Sequence, residues 1–169
     1  LQNSITASEN EFEPVNADCI ATVGVFAVLG FTSNLLNASK FAFEFKINVT
    51  NLTGNSGMIA GLSSGSGTWI ALKDIAPTTF QFRGEASSAN FTTYDTSNLI
   101  GGVHTVRVIG NGTTAYLRVD GVQVDTVAFT KTLTIDRLFN FSGGSLGAIA
   151  KYIEFKAWDF TSEGGTINN

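Results

Sequence analysis

The chain has 169 residues, enough for one domain with a two-sheet core; 43% are hydrophobic and only 14% charged. The formal net charge is -4 and no Lys/Arg cluster could track a phosphate backbone, which excludes nucleic acid as an expected partner. Cys19 is the single cysteine, so no internal disulfide can form, and polarity comes instead from Ser, Thr, Asn and Gly.

Residues 1–14 are polar and acidic and close on Pro14, with no sustained apolar face. They read as an extended arm held against a neighbouring subunit, with Ile5 and Phe12 as apolar anchors and Glu9, Glu11 and Glu13 meeting basic groups. The apolar stretch Ile20 to Leu29 is about half the ~20 residues a membrane-spanning helix needs, and Gly24 interrupts it. Two short core strands are expected there, and no membrane partner.

From Ser39 to Val49 the alternation is strict: Phe41, Phe43, Phe45 and Ile47 against Ala42, Glu44, Lys46 and Asn48. Period-two alternation describes a strand with one buried and one wet face. Short strands follow at 58–62, 68–72 and 79–83, with only a brief one near Phe91 in the Ser/Thr/Asn-rich stretch from Gly84 to Ile100.

Val103 to Val127 reads as a three-stranded meander. Val106, Val108, Leu117, Val119, Val122 and Val124 are its expected core residues, and Arg107, Arg118 and Gln123 are not. Asn111-Gly112 and Asp120-Gly121 mark the reversals, since both dipeptides accept the positive φ of primed hairpin turns. Strands over 132–139 and 149–160 complete the chain, and 161–169 is a polar tail. Two prolines and no 3.6-residue stripe leave little room for helix. The expected organisation is an arm over 1–14, a sandwich domain over 15–160 and a tail over 161–169, with an all-β, two-sheet antiparallel fold.

The order of these features, Phe41-Ala-Phe-Glu-Phe45, the meander with its Val119-Asp-Gly-Val122 turn, and Ala150-Lys-Tyr-Ile-Glu-Phe155, resembles the laminin-G-like, concanavalin-A-like family of jelly-roll sandwiches. The resemblance spans roughly Phe41 to Phe160. It implies pairing of the first long strand with the closing strand, where Glu44 and Lys46 would meet Glu154 and Lys156 with opposite charges on both rungs. It also implies recognition before catalysis. Glycosidases of this fold carry a Glu-x-Asp-x-x-Glu strand; here Glu44, Glu85 and Glu154 are scattered in sequence and His104 is the sole histidine, so no catalytic residues are expected. Relatives often hold calcium at the sandwich rim, but the loop candidates Asp74, Asp95 and Asp136 form no ligand run, so neither metal nor other cofactor is expected.

Trp69, Tyr94, Arg107, Tyr116 and Arg118 are the candidate binding residues, for a glycan or a protein partner, since aromatic faces beside hydrogen-bonding groups serve both. Low charge, the arm and the missing catalytic set lead to the expectation of a non-enzymatic virion protein, a bacteriophage capsid or tail component with other virion subunits as partners, assembled as a homo-oligomer. The alternative is an extracellular carbohydrate-recognition module, on a tail fibre or secreted bacterial protein, with a cell-surface glycan as ligand.

Overall fold

The computed structural model describes residues 10–12, 19–21, 29–30, 36–52, 57–61, 68–73, 79–85, 87–138 and 148–161. Its strands are β1 (Asn10–Phe12), β2 (Cys19–Ala21), β3 (Leu29–Gly30), β4 (Leu36–Ala38), β5 (Lys40–Leu52), β6 (Gly57–Gly61), β7 (Trp69–Lys73) and β8 (Thr79–Gly84). They continue with β9 (Ser87–Phe91), β10 (Val103–Asn111), β11 (Thr114–Val119), β12 (Val122–Ala128), β13 (Leu133–Ile135), β14 (Arg137–Leu138) and β15 (Ala148–Asp159). One turn of 3-10 helix, Thr96–Leu99, is the only helix among the described residues, so none there could cross a membrane.

The fold is a two-sheet antiparallel jelly-roll sandwich. One sheet runs β1-β15-β5-β10-β11-β12, with β2 also on β15; the other runs β3-β14-β6-β7-β8-β9, and β4 pairs with β13. The expected neighbours β5 and β15 are antiparallel, with Lys46 opposite Glu154 and Glu44 opposite Lys156, so opposite charges share both rungs. Each exposed pair of this kind contributes only ~0.2–1 kcal/mol, enough to favour a register.

Packing fixes the rest. Phe41, Phe43 and Phe45 of β5 and Phe80, Phe82 and Phe91 of the facing sheet are fully buried. Their rings interlock across the sandwich: Phe45 lies 5.9 Å and Phe43 6.4 Å from Phe80, and Phe129 sits 4.6 Å from Phe82. Burying each ring contributes ~1.5–3 kcal/mol, with ~0.5–1.5 kcal/mol more per favourable ring pair.

From the meander to β14 the structure departs from the sequence reading in three respects. Val106, Val108, Leu117 and Val119 are buried, but Val122 is 64% exposed and Val124 only half-buried. β12 is the outermost described strand of its sheet, and Val122 directly follows the turn. A bulge between Leu117 and Arg118 then leaves Val124 without an opposite residue and breaks the alternation. The two reversals also differ. Asp120 (φ 51°) and Gly121 (φ 81°) both take left-handed backbone, as a primed turn requires. At the other reversal only Gly112 does (φ 93°), while Asn111 stays in β10 and its Oδ1 accepts N–H bonds from Thr113 and Thr114. Finally, the single strand expected over 132–139 splits at Asp136, whose N–H donates to the Gly61 carbonyl as the chain leaves β4 for β6.

Within the segment expected as an arm, Asn10–Phe12 forms β1 on β15 of its own sheet, with Glu11 opposite Lys156 and Phe12 opposite Phe155. Ordering these three residues therefore needs no neighbouring chain. Ile5, Glu9 and Glu13 lie outside the described residues.

Gly110 faces Phe41 across β10 and β5, and a Cβ built there would lie 2.5 Å from Phe41 Cε1 and 2.6 Å from Cζ. Phe41 is fully buried against Phe43, Phe82 and Phe129 and has nowhere to move. Gly110→Ala should therefore cost ~1–3 kcal/mol by overpacking, read as a lower urea midpoint with unchanged m. A midpoint equal to the wild type would show that the core is looser than described.

Candidate functional site

The Phe row of β5 turns Lys40, Ala42, Glu44 and Lys46 to the opposite, outer face of the seven-stranded sheet. Register then brings Arg107 opposite Glu44, Arg118 opposite Arg107, and Tyr116 opposite Ile109. On β15, Lys156 and Trp158 share that face, opposite Glu44 and Ala42. Ala42, Ile109 and Trp158 form a small second apolar cluster, with Phe160 packed against it.

Arg107 spans this floor. Its guanidinium carbon lies 4.9 Å from the Trp158 ring centroid, a cation–π contact. Its Nε is 3.0 Å from Glu44 Oε2, an ion pair by distance, although the N–H does not point at the carboxylate. Trp158 is 8% exposed, so it supports Arg107 more than it offers an open ring face. Tyr116 is half-buried and its hydroxyl accepts a 3.3 Å bond from Asn111 Nδ2.

Three of the five residues expected from sequence, Arg107, Tyr116 and Arg118, thus share one face. Trp69 is in β7 of the other sheet, opposite Arg83, and does not join them. Tyr94 lies on the rim between β9 and β12, packed against the main core. Glu44 and Trp158 were not among the expected binding residues. The signal for them was available: both share the parity of the charged positions on β5 and β15. Glu44 and Glu154, far apart in sequence, stand on adjacent strands, Glu154 opposite Lys46 and Glu44 opposite Lys156.

The rim forms a second polar locus. An ionised carboxylate can only accept, so His104 carries its proton on Nδ1 and donates to Asp120 Oδ2 at 2.8 Å, while Thr105 N–H donates to Oδ1 at 2.9 Å. The His104 bond first, and the Thr105 bond second, hold the Asp120 carboxyl below the usual carboxylate range. Burial, then the charges of Asp120 and Asp95, push the Tyr94 hydroxyl up. Asp125 Oδ2 accepts from Thr93 and Tyr94 N–H at 2.7 and 3.2 Å, and Asp95 Oδ1 caps the 3-10 turn at Ser97 N–H. These carboxylates are engaged with backbone, and among the described residues no group of three or more His, Cys, Asp or Glu could hold a metal. Asp74 lies outside those residues.

Compared by sequence, the chain matches no protein-family profile and no curated protein. Solved structures are similar in fold. Domain 4 of an extracellular arabinanase from Geobacillus stearothermophilus, in complex with arabinotriose, has TM-score 0.57 and 12% identity over 89% of this chain and 82% of its own. A transglycosylase in complex with NAG has TM-score 0.56 and 11% identity over 90% and 84%. A carbohydrate-binding module from Bacillus subtilis has TM-score 0.52 and 9% identity over 90% and 96%. Identities this low establish the concanavalin-A-like jelly-roll fold and nothing finer. The set mixes domains of carbohydrate-active enzymes with a binding module.

The rim gives a pH prediction. A depressed folded pKa means that Asp120 contributes its stability above the unfolded value of about 3.9 and loses it as pH falls through the lower folded value. Asn tolerates the left-handed backbone, so Asp120→Asn tests the charge with the turn kept. The gap in melting temperature between wild type and this variant should shrink as pH falls from about 4 to 2. A gap unchanged down to the lowest pH would remove the assigned role of the His104 and Thr105 bonds.

Proposed function

We propose that this chain is a carbohydrate-recognition module that holds its glycan on the outer face of the seven-stranded sheet and does not cleave it. The observation that carries the reading is the grouping of Arg107, Glu44, Tyr116, Asn111 and Arg118 over the Trp158 floor. Sugars present hydroxyls in pairs and weakly apolar ring faces. A rigid sheet surface bearing charged donors, a carboxylate acceptor and an aromatic edge meets both. Strands hold such groups more firmly than loops do, which lowers the ordering cost on binding.

The similar structures favour this reading over a virion subunit, for which they offer no support; an extracellular setting fits it. Non-catalytic action is supported by the engagement of Glu44, whose carboxylate faces Arg107 Nε at 3.0 Å with Lys156 opposite it on the neighbouring strand. The Glu44 and Glu154 rungs favour one competing reading, glycoside cleavage by that pair, and it has its own test.

On a glycan array the isolated domain should retain a defined carbohydrate class, and Arg107→Ala and Tyr116→Ala should each weaken it about tenfold or more, as loss of a charge-assisted or well-packed contact does. Circular dichroism checks that both variants remain folded. Retention of no glycan by the folded wild type would defeat the proposal. No product should appear when the retained glycan is incubated with the protein; cleavage abolished by both Glu44→Gln and Glu154→Gln would establish the competing reading instead.

A further inference from the structure

We infer that the glycan taken by this face is acidic, and that Arg118, with Arg107 beside it, receives its oxyanion, a carboxylate or a sulfate ester. The inference rests on the carbohydrate reading and adds the ligand's charge. Arg107 and Arg118 are directly opposed across β10 and β11, a placement in which like charges repel. Glu44 offsets Arg107. Among the described residues no carboxylate is paired with Arg118: its cross-strand neighbours are Arg107 and Gln123. Asp120, two residues along its own strand direction, is already taken by His104 and Thr105.

The donors tell the same story. Nε of Arg107 and Nε of Arg118 are both closed off from solvent, so the Nη ends of the two guanidinium groups are the donors that an external oxyanion would meet. Two oxygens of a carboxylate or a sulfate ester can meet a guanidinium fork with two parallel bonds, which neutral hydroxyls cannot do as strongly.

Charge distribution agrees. The protein is net -4, yet of its 10 Lys and Arg residues Lys40, Lys46, Arg107, Arg118 and Lys156 occupy this outward register. The carboxylates at the same register, Glu11, Glu44 and Glu154, are on β1, β5 and β15 and leave the β11 side cationic. Tyr116 and Asn111 adjoin Arg118 there, a phenol and an amide suited to the sugar that carries the anion.

Titration calorimetry of the whole chain with four probes tests this: oligomeric polygalacturonate, its full methyl ester, dextran sulfate, and neutral dextran. Polygalacturonate or dextran sulfate should bind at least tenfold tighter than its uncharged counterpart, and whichever is preferred names the oxyanion. Arg118→Gln should weaken that probe about tenfold or more, and Arg118→Lys should restore part of the loss because the charge returns without the fork. Gln123→Glu keeps both arginines and places a carboxylate opposite Arg118 on the exposed edge strand; it should weaken the acidic probe severalfold and leave any neutral glycan unchanged. Equal binding of charged and uncharged probes, indifferent to all three variants, overturns the acidic ligand and leaves carbohydrate recognition standing. A neutral glycan found on the array whose binding alone depends on Arg107 and Tyr116 does the same. Failure of every glycan, acidic and neutral, overturns both.

Discussion

Everything functional about this molecule depends on one strand keeping its faces apart. β5 runs for 13 residues between β10 and β15, and its inward row of Phe41, Phe43, Phe45, Ile47 and Val49 is fully or almost fully buried. A slip by one residue would expose those rings and bury Lys40, Glu44 and Lys46, a change of many kcal/mol. The hydrophobic core therefore determines more than stability. It fixes which side chains of β10 and β15 can meet Glu44, and so where Arg107 and Trp158 sit.

Sequence made this much legible where the physics is local. Alternation in Phe41–Ile47 and in the meander revealed strands and faces. The family resemblance implied a pairing between segments more than 100 residues apart, and the charge order of Glu44, Lys46, Glu154 and Lys156 suited the register that the structure shows. Asp120-Gly121 revealed a primed turn. What stayed hidden depends on events that alternation does not encode. The bulge at Val124 is a one-residue surplus on an edge strand; its flanking residues look as regular as any in the chain. The break at Asp136 is a change of partner sheet, legible only once Gly61 is in place. Trp158 looked like one more apolar residue of a closing strand, because nothing near it in sequence says that Ala42 and Ile109 would make room beneath Arg107. Trp69 and Tyr94 looked like equals of Tyr116, since residue type gives no clue to which sheet or rim will carry it.

The paired arginines set a tension between stability and use. Two guanidinium groups on opposed rungs weaken the sheet where β10 meets β11, and the surrounding apolar packing of Val106, Val108, Leu117 and Val119 sustains the pairing regardless. Repulsion of this kind, held in place by a rigid core, is what leaves a surface ready for a counter-ion without rearrangement.

The bulged edge has a consequence for how copies of this protein can meet. An outermost strand normally offers a row of free backbone groups on which a second chain can build. At β12 the surplus Val124 breaks that row, and Asp125 Oδ2 takes the Thr93 and Tyr94 N–H groups of the loop that follows β9. The sandwich is laced shut along this side by one carboxylate. Growth by strand addition is thereby discouraged at β12, the edge that borders the meander.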